Sequence, residues 1–142
     1  MYHTDIIYNP EDNIIDELRL ALKSYDQAKI GVYESSSVIV CIRDADKKII
    51  AGAHVYFEVG CLHLDVLWVH ENERGTGLGS QLLKACEDVA IKHGVRRCWL
   101  NTAAFQALDF YKKHGYTVFG EFKIDTLEGE CPNYFLTKEL SL

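Results

Sequence analysis

The sequence predicts a mixed α/β domain built on a mostly antiparallel central sheet with flanking helices. Three observations lead there. The chain has 142 residues, no repeat, no low-complexity tract and only two prolines, which suits a single domain over residues 1–142. Short β-branched runs joined by polar turns fill residues 38–69, the pattern of an antiparallel meander. Beyond residue 77, apolar faces at helical spacing alternate with strand-like runs, which adds parallel connections to the sheet.

Thr4 to Tyr8 reads as a short first strand. Asn9-Pro10-Glu11-Asp12 reads as a helix start, with proline tolerated in the first turn and acids favoured by the helix dipole. Ile14, Leu18, Ala21 and Tyr25 then recur at helical spacing up to Gly31. Val38 to Ile42 is β-branched and short, Asp44 to Lys48 is a polar turn, and Ile49 to Val59 is a second strand of the meander. Gly60 reverses the chain into Cys61 to Val69. Leu78, Leu82, Cys86 and Val89 form a helical apolar face that stops at Gly94. Cys98-Trp99-Leu100 is a strand. Phe105, Leu108 and Tyr111-Lys112 form a helix that stops at Gly115. Thr117 to Phe122 and Tyr134 to Thr137 close the sheet.

Composition narrows the function. The chain is 48% hydrophobic and 25% charged, an ordered globular balance. Fifteen basic against 21 acidic residues leave a formal charge of −6. That argues against nucleic acid as a partner, which needs a face of clustered Lys and Arg. No basic, apolar leader opens the sequence, and no apolar run reaches the ~18 residues of a membrane span, so a cytoplasmic protein without membrane attachment is expected. Cys41, Cys61, Cys86, Cys98 and Cys131 are odd in number and form no C-x-x-C pair; reduced, mostly buried thiols follow. The six histidines lack H-x-x-x-H spacing, so no metal site is expected.

The segment from Leu67 to Ser80 carries the chemistry. A strand feeds a loop with Gly75, Gly77 and Gly79, and the loop opens a helix. Glycines let backbone N–H groups converge on a ligand. A helix start adds unpaired donors and partial positive charge, and Arg74 adds a full charge. The result is an anion site suited to a diphosphate. A Walker loop would end in Gly-Lys-Ser/Thr, whereas Gly79 is followed by Ser80-Gln81. A dinucleotide loop wants G-x-G-x-x-G after the first strand of a parallel unit. Here the spacing is G-x-G-x-G and a meander precedes it.

Arg74, Gly77 and Gly79 match the Arg/Gln-x-x-Gly-x-Gly/Ala signature of the GNAT superfamily of acetyl-CoA-dependent N-acetyltransferases. Phe110-Tyr111-Lys112-Lys113-His114-Gly115-Tyr116 resembles a second signature of that family. The match is specific from about Ile49 to Phe122; the first 35 residues match only in order of elements. The resemblance implies the GNAT fold and acetyl-CoA as co-substrate, with no metal. It implies that the backbone of Leu67, Trp68 and Val69 runs beside the pantetheine arm, with an N–H of this strand, that of Val69 foremost, polarising the thioester carbonyl. Arg74, Gly75, Thr76, Gly77, Leu78, Gly79 and Ser80 would hold the diphosphate. Asn101 would contact the cofactor or a structural water, and Tyr111 would be the general acid. Phe105, Leu108 and Phe110 share the Tyr111 helix, so a core aromatic is the other reading of that tyrosine; its hydroxyl favours function.

An attacking alkyl amine must lose a proton, because only ~0.1% of it is neutral at pH 7. Strict alternation puts His63, Asp65, Leu67 and Val69 on one side of their strand. Relatives that place a glutamate base on this strand put it near His63, which is not glutamate here. His63, Asp65 and Glu58 are therefore all candidates, with structural or substrate-binding roles open for each. Glu71 and Glu73 flank the loop as solvated groups. The resemblance implies as acceptor a small-molecule amine or a peptide or protein amine, and Tyr25, Tyr33, Glu58, Phe122 and Tyr134 are its candidate wall. The resemblance also suggests a homodimer through the last strands. A non-catalytic CoA-binding module is the alternative function.

Overall fold

The computed structural model describes residues 1–31 and 36–141. The chain forms two compact units, Met1–Tyr33 and Glu34–Leu142. Tyr33, one of the expected acceptor-wall residues, lies outside the described residues.

In the first unit, Thr4 to Tyr8 is irregular rather than a strand. A β-favouring composition makes a strand only when its backbone groups find a ladder, and the sheet is made of other segments. Helix α1 spans Asp12–Ile30. Pro10 lies before the cap instead of inside the first turn, and Glu11 caps in extended conformation. At the other end Gly31 takes φ 85°, with its N–H on the Gln27 carbonyl.

The second unit carries a six-stranded sheet. Its strands are β1 (Ser37–Arg43), β2 (Ile49–Glu58), β3 (Cys61–Val69), β4 (Arg97–Ala103), β5 (Thr117–Thr126) and β6 (Gly129–Glu139). They lie in the order β1-β2-β3-β4-β6-β5. Four neighbouring pairs are antiparallel and β3–β4 is parallel, as the mixed pattern predicted. The Asp44 carboxylate closes the first hairpin by accepting from the Asp46 and Lys48 amides at 2.9 and 3.0 Å. Val59 and Gly60 make the second hairpin with φ 49° and 74°. A β-branched residue at positive φ is strained, which glycine escapes.

Helices α2 (Leu78–Lys92) and α3 (Leu108–Lys113) cover one face of the sheet. Leu83, Cys86 and Ala90 pack on Ala53, Val55 and Phe57 of β2, Leu62 and Leu64 of β3, Leu100 of β4 and Leu136 of β6. Alternate residues of β2 are buried, because period two sends every second side chain to this face. Phe105, expected in the last helix, sits in the turn before it: the Gln106 side chain accepts from the Ala103 amide at 2.7 Å and closes that turn. Gly115 takes φ 90° and ends α3 in a double cap. The Gly115 amide donates to the Lys112 carbonyl and the Tyr116 amide to that of Tyr111, both at 3.1 Å, while the Tyr111 and Tyr116 rings meet edge to face. This is the physical content of the Phe-Tyr-x-x-x-Gly-Tyr run.

Candidate functional site

The parallel pair β3–β4 is in register at only three positions, ending at His63 opposite Trp99. Both strands continue, β3 to Val69 and β4 to Ala103, but no longer pair. A fork opens between them. On its other side β3 stays paired with β2 as far as Val69. N–H directions alternate along a strand. The His70 amide donates to the Ile50 carbonyl of β2 at 2.8 Å, so the amides of Leu67 and Val69 face the fork and that of Trp68 faces β2. The three expected backbone contacts thus separate: Leu67 and Val69 offer donors to a ligand in the fork, and Trp68 does not.

At the end of β3 the chain turns through a short 3-10 helix, Glu71–Glu73, into the glycine loop. Gly75 and Gly77 take φ 79° and 89°. Gly77 caps α2 with no side-chain hydrogen bond, and the first turn of α2 holds no acidic residue. The first backbone bond into the helix is Gln81 N–H to the Gly77 carbonyl. The amides of Leu78, Gly79 and Ser80 therefore remain for an anion. A Cβ at Gly79 would stand in contact with the Phe110 ring at 3.4 Å, so a long side chain there would press on α3. The Arg74 Nε donates to the Val69 carbonyl at 3.1 Å and ties the loop to the fork edge. Thr76 donates to the Glu73 carbonyl at 2.6 Å. The Ser80 hydroxyl is shared with His114 Nε2 at 2.8 Å, at the rim of a cavity of about 520 Å³, so Ser80 offers its backbone more freely than its side chain.

Tyr111 is buried against the core on the helical face. Burial pushes its phenol up to about 12, with Cys86 adding to the effect. The phenol stays protonated at neutral pH. Burial likewise lifts the thiols of Cys86 to about 11 and Cys98 to about 12, which leaves both unreactive.

The opposite face differs from the expected alternation. Val66 pairs with His54 and Leu64 with Val55, so Asp65 is an extra residue, a β-bulge. The bulge shifts the phase by one. Leu67 and Val69 stand opposite Ala53 and Ala51 and join the helical face, whereas His63 stands opposite Tyr56 on the other. His63 and Asp65 therefore do not share a face with Leu67 and Val69. Tyr56, His63 and Trp99 form a row across three strands, the His63 ring 3.8 Å from Trp99 and 4.7 Å from Tyr56. His63 is 7% exposed, and neither ring nitrogen has a hydrogen-bond partner. Burial holds its pKa below the usual imidazole value, against the opposing pull of Asp65 and Glu58. Asp65 is exposed and its Oδ2 lies 3.0 Å from His54 Nδ1. Sequence reasoning missed His54; only the cross-strand register and the bulge bring it to Asp65. Asn101 is exposed on the face shared with Trp99, away from the glycine loop. Phe122 and Tyr134 lie on opposite faces of the β5–β6 ladder and do not form one wall. Among the described residues no cluster of three or more His, Cys, Asp or Glu could hold a metal ion, and no helix is long and apolar enough to cross a membrane.

Comparisons with known proteins bear on the family and the fold. Residues 7–116 match the acetyltransferase (GNAT) family. An N-acetyltransferase of Bacillus subtilis, YjcF, whose function is uncharacterised, is 31% identical over 135 residues, spanning 95% of this chain and 91% of that protein. The crystal structure of an acetyltransferase from Bacillus cereus superposes with a TM-score of 0.76 at 30% identity, covering 96% of this chain and 98% of that one. A GNAT family acetyltransferase from Elizabethkingia anophelis, solved with acetyl-CoA bound, shares the fold with a TM-score of 0.63 at 19% identity, covering 93% and 85%.

Proposed function

The chain belongs to the acetyltransferase (GNAT) family, and from that premise we propose that it moves the acetyl group of acetyl-CoA to a primary amine by direct attack within a ternary complex. The fork carries this reading: β3 leaves β4 after three paired positions, where fork-facing amides and an uncapped helix start lie on one continuous path. The amides of Leu78, Gly79 and Ser80, with Arg74, take the diphosphate. The edge from Val69 to Leu67 takes the pantetheine arm, and one of its amides polarises the thioester carbonyl. The neighbour solved with acetyl-CoA supports this choice of co-substrate.

Tyr111 protonates the departing sulfur. Burial lifts its phenol to about 12, so at neutral pH Tyr111 carries the proton that the departing thiolate needs. No covalent enzyme intermediate is needed. His63 and Asp65 line the face from which the acceptor arrives, and Asp65 and Glu58 give that face the negative charge that suits a cationic amine.

The test is incubation with acetyl-CoA and a panel of amines: polyamines, amino acids, amine-bearing antibiotics and a lysine peptide. Released CoA is read with a thiol reagent and the product by mass. Amine-dependent release with a 42-dalton gain per acetyl (about 42, from replacing H by acetyl in the transfer just described) is expected. CoA binding with no release for any amine supports the non-catalytic module instead, and absence of CoA binding removes both readings.

A further inference from the structure

The acceptor face holds two imidazoles, and they differ in what they can do with a proton. His63 is enclosed, pressed on Trp99, with both ring nitrogens unpaired and out of contact with solvent. His54 is open: its side chain is 32% exposed, and Nδ1 is engaged by Asp65 Oδ2 at 3.0 Å. Among the described residues nothing bonds Nε2. A carboxylate on one ring nitrogen fixes the tautomer and orients the other nitrogen as a proton acceptor. Asp65 holds this place because it is the bulge residue, two positions past the last β3–β4 pair and so at the start of the fork. One strand spacing, about 4.8 Å, separates β2 from β3. The His54 ring leans over β3 to meet Asp65, which brings an amine at the fork within its reach through a bridging water.

We infer that His54, held by Asp65, takes the proton from the attacking amine. This rests on the acetyl-transfer reading above. The amine lone pair forms the C–N bond to the thioester carbon, and the N–H proton passes to His54 Nε2. The C–S bond breaks with its electron pair going to sulfur, which receives the Tyr111 proton. His54 returns its proton to solvent through its exposed edge, and Tyr111 regains one, leaving an amide and free CoA. An acceptor that enters as an ammonium ion releases one further proton to solvent first. His54 acts on the amine proton through a water; Asp65 is a positioning residue. The titratable groups facing His54 are Asp65 and His63 from β3 and Tyr56 from its own strand, while Ile39 of β1, opposite it, is uncharged.

Steady-state kinetics with acetyl-CoA and the best amine of the panel, between pH 6 and 9, decide it. For His54→Gln and His54→Asn, kcat falls ~10²-fold or more, KM for acetyl-CoA holds within twofold, and the acid limb of the pH profile flattens. Asp65→Asn loses less, and Asp65→Glu recovers part of that loss. Thermal melts and CoA calorimetry confirm that each variant is folded. Activity within twofold of wild type in both His54 variants overturns the inference while leaving acetyl transfer intact. So does a loss and pH change that follow His63→Gln instead. If the wild type binds CoA but acetylates no amine of the panel, acetyl transfer fails and the inference falls with it.

Discussion

The two halves of the proposed site are made of different material. The donor half, from Leu67 to Ser80, is built from main chain: fork-facing amides, two glycines at positive φ and an uncapped helix start. The acceptor half is built from side chains on the opposite face: Tyr56, His63, Trp99 and the His54–Asp65 pair. A backbone site tolerates change in most side chains but little change in its glycines. A side-chain site tolerates the reverse. One fold can therefore keep its donor while its acceptor varies.

Mutations sharpen this contrast, and the largest effect belongs to Tyr111, the proposed proton donor on the helical face. Tyr111→Phe should lower kcat by ~10²–10⁴-fold and leave CoA affinity within twofold, since only a proton donor is lost. An equal loss of CoA binding would make Tyr111 a packing residue.

Alkaline pH tests the helical face. Tyr111, Cys86 and Cys98 all have folded values above their ordinary ones, at about 12, 11 and 12. Above the ordinary thiol value of 9.0 the unfolded chain releases protons that the folded chain retains, so unfolding gains as pH rises. The melting temperature should hold from pH 7 to about 8.5 and decline steadily from about 9 towards 12. A flat profile to pH 11 would contradict the buried placement of these groups.

Arg74→Ala removes one charge and the tether to Val69 but leaves the backbone donors, so CoA should bind roughly tenfold more weakly, with kcat little changed. A loss of several hundredfold would mean that the side chain, not the main chain, holds the anion. The smallest effect lies outside both halves. Val59→Asn relieves a β-branched residue at φ 49° in the β2–β3 hairpin and should stabilise by about 1 kcal/mol, read by urea unfolding with activity unchanged.

The same contrast explains what the sequence made legible. Gly77, Gly115 and Arg74 are local signals: each acts within a few residues of itself, so the loop, both helix stops and the order of the later elements could be read directly. Thr4 to Tyr8 failed because a strand needs a partner that composition does not name. The face of His63 relative to Leu67 and Val69 was read wrongly because one inserted residue, Asp65, reverses strand alternation and leaves no mark in the hydrophobic pattern. His54 was missed for a related reason: it lies eleven positions before Asp65, and only the register joins them.

The central claim is that main-chain donors along the fork and at the start of α2 hold CoA. Calorimetric titration of CoA into the wild type and Gly79→Leu tests it most directly. A side chain added at Gly79 would meet Phe110 at the helix start, and the branched end of a leucine there forces the loop and α3 apart. One CoA per chain is predicted for the wild type, with affinity at least ~30-fold weaker in Gly79→Leu, by the cost of overpacking. No heat of binding in the wild type, or equal affinity in a folded Gly79→Leu, would contradict it.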